Sequence, residues 1–374
     1  MLNNIFENSA KKIALIATKS KFIRNVIEKR QISMEFPASL FIEPTNLCNL
    51  KCSMCPQSSV GFERGHGLSQ PLQNSNSVGA ATVRAHPDES DIGLTPAVEK
   101  GYMDFELYKN IIDESLKFGK RTTIFFHKDG EPLLHPRLPE MIEYAVNKKA
   151  AYQTHLSTNA ILLEGKMMED ILKSGIDSII INVDAATEET YRKIKRVPGF
   201  DKVEENIKNF IETKKKLNLA KPLIRVKLIP LEENLGEVEA FKKRWNRLAD
   251  EVVISREFSW PGFIRKENNK PGYTSDKRYP CISLWLALAI NWDGTVSVCC
   301  IDFYHRGILG NLRKSSINKI WKGEKLQEIR VAHLEGKFNS VQVCSDCRGL
   351  WLRDTLGRGS EKWLRKKMES SGFL

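Results

Sequence analysis

Residues 41–56 read Phe41-Ile42-Glu43-Pro44-Thr45-Asn46-Leu47-Cys48-Asn49-Leu50-Lys51-Cys52-Ser53-Met54-Cys55-Pro56. The apolar run from Leu40 to Pro44 predicts a β-strand, and three cysteines spaced C-x3-C-x2-C follow it directly. Three thiolates on one tight loop can hold three irons of a cubane and leave the fourth open, as a catalytic metal site requires. A tetrahedral zinc knuckle would need a fourth ligand nearby. The closest candidate, His66, lies in a stretch with no helical or strand periodicity.

Outward from this loop, apolar β-branched runs alternate with amphipathic helical ones, the mark of repeated βα units around a parallel sheet. Strands are predicted at Leu40 to Pro44, Thr122 to His127, Gln153 to Ser157, Ser178 to Asp184, Leu223 to Ile229 and Glu251 to Ser255. Helices are predicted over Phe105 to Phe118, Leu138 to Asn147, Lys166 to Ser174, Val203 to Leu217 and Gly236 to Leu248, with Gly119 and Gly175 suited to left-handed C-caps. The fold class is therefore α/β, a partial (β/α)6 barrel with its chemistry at the C-terminal strand ends. Residues 1–36 carry basic amphipathic helical patterns and form an N-terminal extension; residues 37–257 form the barrel core. Within the core, residues 65–100 are rich in Gly, Ser, Asn, Pro and Ala without periodicity and read as a mobile insertion, with a lid as the rival reading. Residues 258–350 form a small cysteine-bearing domain, and 351–374 a basic C-terminal helix.

Composition narrows the function. A chain of 374 residues with 41% hydrophobic and 28% charged residues reads as globular, and no stretch reaches the roughly 18 uncharged apolar residues of a membrane span. The apolar run Ile13 to Ile16 is too short for a secretory signal and is hemmed in by lysines, so a cytoplasmic location is expected. The eight cysteines fall in groups at 48/52/55, 281, 299/300 and 344/347, which in a reducing compartment points to metal rather than disulfides. The net charge of +12 is spread over helix-like segments with interleaved Asp and Glu, the pattern of solvated faces, and no nucleic-acid partner is expected.

The stretch from Phe41 to Cys55 resembles the cluster loop of radical S-adenosylmethionine (AdoMet) enzymes. The resemblance implies a [4Fe-4S] cluster on Cys48, Cys52 and Cys55, AdoMet chelating its unique iron, and an external one-electron donor such as flavodoxin or ferredoxin. Asp129-Gly130-Glu131-Pro132 is similar to the family's Gly-Gly-Glu segment at the AdoMet amino group, with Asp129 in place of the first glycine. Ser157-Thr158-Asn159 and Asn182-x-Asp184 resemble its ribose contacts, and Met54 is counted with the AdoMet-binding residues. Farther on, Cys281, Gly294, Cys299 and Cys344-x2-Cys347 match the SPASM or shorter Twitch extension, which implies an auxiliary [4Fe-4S] cluster on those four cysteines. Cys300 is either a buried bystander next to a ligand, or a hydrogen-atom donor to a substrate radical or an alternative ligand.

By analogy with this family, the expected activity is hydrogen abstraction from a small polar substrate such as a sugar, aminocyclitol or nucleotide-sugar, giving dehydrogenation or epimerisation. A peptide or protein maturase is the alternative within the family, and a non-catalytic iron-sulfur electron carrier the alternative outside it. Arg256, Arg265, Lys266, Lys270 and Lys277 in or beside the interdomain linker could receive phosphate or simply be solvated.

Overall fold

The computed structural model describes residues 35–58, 99–118, 122–255, 260–261, 278, 280–345, 347 and 360–372. Residues 1–34 of the N-terminal extension, Gly119, most of the 65–100 insertion and the linker cations lie outside the described residues.

Six parallel strands build the core: β1 (Ser39–Ile42), β2 (Thr123–Phe125), β3 (Gln153–Thr158), β4 (Ser178–Asn182), β5 (Leu223–Leu228) and β6 (Glu251–Ile254). Each pairs with the next in register, so they form an open, partial barrel-like sheet. Crossovers are made by α1 (Phe105–Leu116), α2 (Leu138–Asn147), α3 (Gly165–Lys173), α4 (Glu188–Lys195), α5 (Phe200–Lys216) and α6 (Val238–Trp245). Strand periodicity of two decides which side chains meet them. Leu40, Ile124, Leu156, Ile179, Ile181 and Val226 are buried under the helices. The alternate positions, among them Phe41, Phe125, His155, Ser157, Ile180, Asn182, Arg225 and Lys227, are only half-buried and line the inside.

The sequence expectation missed α4, because Glu188–Lys195 offers only Tyr191 and Ile194 as apolar anchors. Its ends supply the missing specification. Thr187 caps the N-terminus by accepting Thr190 N–H at 3.3 Å, and Arg196 closes the C-terminus in the left-handed region at φ 62°. Gly175 follows α3 with φ +78°, as the C-cap expectation required.

The cysteine-bearing C-terminal region is not a separate body. After α7 (Ser283–Leu286), β7 (Ala287–Ile290) pairs parallel with β1 on the side opposite β2, and β8 (Thr295–Ser297) and β9 (Ile308–Asn311) follow antiparallel. One nine-stranded sheet of order β6-β5-β4-β3-β2-β1-β7-β8-β9 results. Gly294, with φ +90°, turns the β7–β8 hairpin. The helices α8 (Ile317–Trp321), α9 (Glu324–Leu334), α10 (Gln342–Ser345) and α11 (Ser360–Ser370) complete the region. Glu114 of α1 caps α8 by accepting the N–H groups of Ile317 and Asn318 at 2.9 and 3.1 Å. No described helix is long and apolar enough to cross a membrane.

Glu43, fully buried just after β1, fastens the seam between the two regions. Its Oε1 accepts Asp129 N–H at 3.1 Å and its Oε2 accepts Trp292 N–H at 3.2 Å, while its own N–H donates to Ile290 O at 2.9 Å. Replacing Glu43 with Ala leaves two buried amides unpaired, each worth about 1–3 kcal/mol. Urea denaturation of Glu43→Ala should show a loss of ~2 kcal/mol or more, and Glu43→Gln, which keeps one acceptor, should lose roughly half as much.

Candidate functional site

The loop from Thr45 to Ser58 leaves the C-terminal end of β1 and is tied to the chain at 99–102. Thr45 Oγ1 donates to Gly101 O at 2.6 Å, Asn46 Nδ2 to Glu99 O at 2.7 Å, and Gly101 N to Asn46 Oδ1 at 3.0 Å. Cys55 N–H donates to Cys52 O and Ser53 N–H to Ile194 O, which closes the turn that carries the thiols. Burial pushes the Cys48 thiol well up, and the neighbouring Cys52, Glu131 and Cys55 add to it; burial and then Cys52 push Cys55 up to about 12. These thiols are free, not disulfide-bonded. Buried thiols that raise one another's pKa resist ionising until a cation compensates the thiolate charge, so the loop fits a bound metal cluster.

The second strand end approaches this loop as closely as backbone allows. A Cβ on Gly130 would sit 2.2 Å from Thr45 O and 2.5 Å from Leu47 O, and Glu131 N–H donates to Leu47 O at 2.7 Å. Glu131 spends both carboxylate oxygens inside the protein. Oε1 accepts from Thr158 Oγ1 at 2.6 Å and Leu133 N at 3.1 Å, and Oε2 from Asn159 N at 2.8 Å. Burial, opposed by these donors, pushes its carboxyl up to about 7.

The remaining sequence-derived residues divide into two groups. Asp184 is also committed: its Oδ2 pairs with buried Lys195 at 2.6 Å and its Oδ1 accepts Ile229 N at 2.8 Å. Asn159 Nδ2 reaches Asn49 Oδ1 in the cysteine loop at 2.8 Å, and Met54 packs with Ile194 and Leu231. Ser157 and Asn182 instead lie on the inner face, joined at 2.8 Å, with Asn182 Oδ1 buried and unpartnered among the described residues.

Several residues at the site carried no sequence signal. Lys100 was assigned to the mobile insertion, but it is 6% exposed and its Nζ donates to Asn46 O and Gln57 Oε1, both at 3.0 Å. Glu99 and Lys100 therefore belong to the core: the main chain of Glu99 and the ammonium of Lys100 stitch the cysteine loop. Lys128 forms a buried ion pair with Asp129 and reaches Asp302 O at 3.4 Å. Donor atoms of Glu43, Asp129 and His305 lie within 4.8 Å of one another beside that pair. The adjacent dipeptide Lys128-Asp129 was visible, but its pairing was not. On the inner face Phe41 stacks on Phe125 at 4.5 Å and Phe125 on His155 at 4.9 Å, and His127 meets the first two rings edge-on. Burial, then Lys227 and His155, depress His127 to about 3, so its ring is neutral.

The second cysteine group meets in a small cavity of about 20 Å³ lined by Cys281, Cys299, Cys344 and Cys347 with Val298, Val343, His333 and Arg278. Burial and Cys299 push Cys281 up to about 12; Cys344 is raised by burial and by Cys299, Cys281 and Cys347. The same argument as for the first loop fits a cluster here. Cys300, half-buried, lies within hydrogen-bond reach of Cys299, and that contact, with burial, pushes the Cys299 thiol up. Asp302 closes the turn that follows by accepting Arg306 N at 2.9 Å and Gly307 N at 2.8 Å.

Comparison with known proteins agrees with this geometry. Residues 42–220 match the Radical SAM superfamily, and residues 281–348 match SPASM, an iron-sulfur cluster-binding domain. A tungsten-containing aldehyde ferredoxin oxidoreductase cofactor-modifying protein of Pyrococcus furiosus is 25% identical over 359 residues, covering 84% of this chain and 87% of the relative. Among solved structures, anSMEcpe with bound AdoMet aligns with TM-score 0.54 at 15% identity, covering 90% of this chain and 97% of that one. Streptococcus suis SuiB bound to its precursor peptide SuiA aligns with TM-score 0.55 at 14% identity, covering 83% and 70%. These two likenesses speak for the fold.

Anaerobically reconstituted protein is expected to bind about eight irons, and replacing Cys48, Cys52 and Cys55 together should leave about four. Gly130→Ala forces the cysteine loop away from the β2 end. Its expected effect, read by iron analysis and AdoMet binding, is at least tenfold weaker AdoMet affinity with auxiliary iron retained.

Proposed function

The chain belongs to the radical SAM superfamily and carries a SPASM-type iron-sulfur domain, and from that premise we propose that it removes hydrogen from a small polar molecule and oxidises it. Cys48, Cys52 and Cys55 would hold the catalytic cluster, and Cys281, Cys299, Cys344 and Cys347 the auxiliary one. With both bound, the reduced catalytic cluster and AdoMet supply a 5′-deoxyadenosyl radical able to abstract a substrate hydrogen.

The observation that carries the substrate class is the inner face of the sheet. Ser157, Asn182, His127 and Lys227 ring its upper layer, and Asn182 Oδ1 and His127 Nδ1 are buried without partners among the described residues. Buried polar atoms call for polar partners, and hydroxyls or amines of a bound ligand supply them. Below them the Phe41–Phe125–His155 stack gives a flat wall against which a ring can rest. The Pyrococcus furiosus relative, whose name describes modification of a cofactor, supports a small organic molecule in this position.

Oxidation is favoured over epimerisation by the second cysteine group. Four thiols converging on one cavity leave no protein-free position for substrate chelation, whereas a fully ligated cluster can accept the electron that a substrate radical must lose. A hydroxyl-bearing carbon would lose one hydrogen atom to the deoxyadenosyl radical, one proton and one electron, ending as a carbonyl.

Anaerobic turnover with AdoMet, a reductant and candidate small metabolites in deuterated water tests this reading. The expected product is two hydrogens lighter than its substrate and formed together with 5′-deoxyadenosine. An isomeric product carrying solvent deuterium would show epimerisation instead and make Cys300 the first residue to replace. Replacing Cys344 and Cys347 should preserve AdoMet cleavage while stopping formation of the oxidised product.

A further inference from the structure

His333 lies on α9 and is 2% exposed. It lines the cavity on which Cys281, Cys299, Cys344 and Cys347 converge. Its Nδ1 lies 3.2 Å from the backbone nitrogen of Cys281 in hydrogen-bond geometry. A backbone N–H can only donate, so Nδ1 is the acceptor and the ring hydrogen of the neutral imidazole sits on Nε2. Nε2 is buried and has no partner among the described residues. Phe338 packs against the ring edge-on with centroids 5.1 Å apart, so the imidazole is held in place by one bond and one ring contact.

The same tautomer argues against His333 as a metal ligand. An iron on Nε2 would take its lone pair and shift the hydrogen to Nδ1, setting it against the Cys281 N–H. A donor aimed at an acceptor remains the consistent arrangement. Arg330, one turn earlier on α9, is fully buried, donates to Leu284 O at 2.9 Å and Trp321 O at 3.2 Å, and has no carboxylate partner among the described residues. Its guanidinium also lies over the Trp321 ring, 4.2 Å from the centroid, so two carbonyls and an aromatic face hold this cation.

We propose that His333 is a positioning residue for electron transfer, donating its Nε2–H to a sulfur of the auxiliary cluster and so raising that cluster's reduction potential. Reduction adds negative charge to the sulfurs, so the hydrogen bond strengthens in the reduced state and favours it. A higher potential is what a cluster needs if it is to take an electron from a substrate radical. The inference rests on the four-cysteine ligand set proposed above.

Redox titration of the full-length protein with both clusters, followed by EPR, reads the two potentials; the Cys48→Ala, Cys52→Ala, Cys55→Ala variant identifies the auxiliary signal. His333→Leu should lower the reduced-to-oxidised ratio of the auxiliary cluster about tenfold at the wild-type midpoint, a shift of ~59 mV for one electron. The catalytic potential should not move, and His333→Gln, which keeps a donor, should recover most of the change. In wild-type protein prepared in deuterated water, pulsed EPR of the reduced auxiliary cluster should show an exchangeable deuteron and only weak imidazole nitrogen coupling. An unmoved potential in His333→Leu with its iron intact, or no exchangeable deuteron in the wild type, overturns the proposal. Strong nitrogen coupling together with iron loss in His333→Leu overturns it by making His333 a ligand. Loss of all iron from the triple cysteine variant with His333 intact overturns the ligand set instead.

Discussion

The Glu43 carboxylate holds the site together. It stands directly after β1, the strand that pairs with β2 on one side and β7 on the other, and it accepts one amide from each flank. Those two amides belong to Asp129, one residue before the Gly130 contact with the cysteine loop, and to Trp292, in the hairpin that leads to Cys299. Both cysteine groups are thus registered to the end of a single strand. Trp292 strengthens the arrangement: its indole N–H donates to Glu99 O, and its ring occupies the space over Gly101 that any side chain there would fill.

Burial of charge is the second organising constraint. Lys100, Lys128 and Lys195 are buried around the C-terminal ends of the strands, each near a carboxylate, a thiol or a carbonyl. Isolated, such ammoniums would be strongly disfavoured inside a protein. Here they offset Glu43, Asp129 and Asp184 and lie beside the cysteine thiols, while burial pushes the Asp129 carboxyl and those thiols toward their neutral forms. Lys100 shows the balance: burial depresses its pKa, while Glu43, Asp129, Cys48 and Cys55 raise it. A cluster of cysteine thiolates in this pocket meets cations already in position, which lowers the reorganisation its binding demands.

Much of this was legible in the sequence, and the boundary has physical causes. The six core strands and most of the crossover helices were readable because apolar periodicity is a local property, as in Ile179 and Ile181 or Phe210 and Ile211. The cysteine groups were readable because close spacing on one loop is a chemical constraint as well as a structural one. Helix α4 was missed because its stability comes from Thr187 and Arg196 at its ends rather than from an apolar stripe. Lys100 was missed because nothing local distinguishes it from the unpatterned residues before it; its partners Asn46 and Gln57 are more than forty residues away in sequence. Asp129 was read only as a departure from glycine. Its approach to His305 exists only once β1, β7 and β8 bring the turn after β8 to the C-terminal end of β2.

The continuity of the sheet bears on how two redox sites can share one substrate. A tethered second domain would place its cluster at a distance set by the linker, and electron transfer would vary with every excursion. Here β7 is hydrogen-bonded along its whole length to β1, with Ser39 to Ile42 opposite Ala287 to Ile290. The turn after β8 then carries Cys299 and Asp302 back toward Lys128 at the end of β2, where the Lys128 ammonium reaches Asp302 O. The separation between the two cysteine groups is therefore set by strand register and by the buried Lys128 contact with Asp302 O.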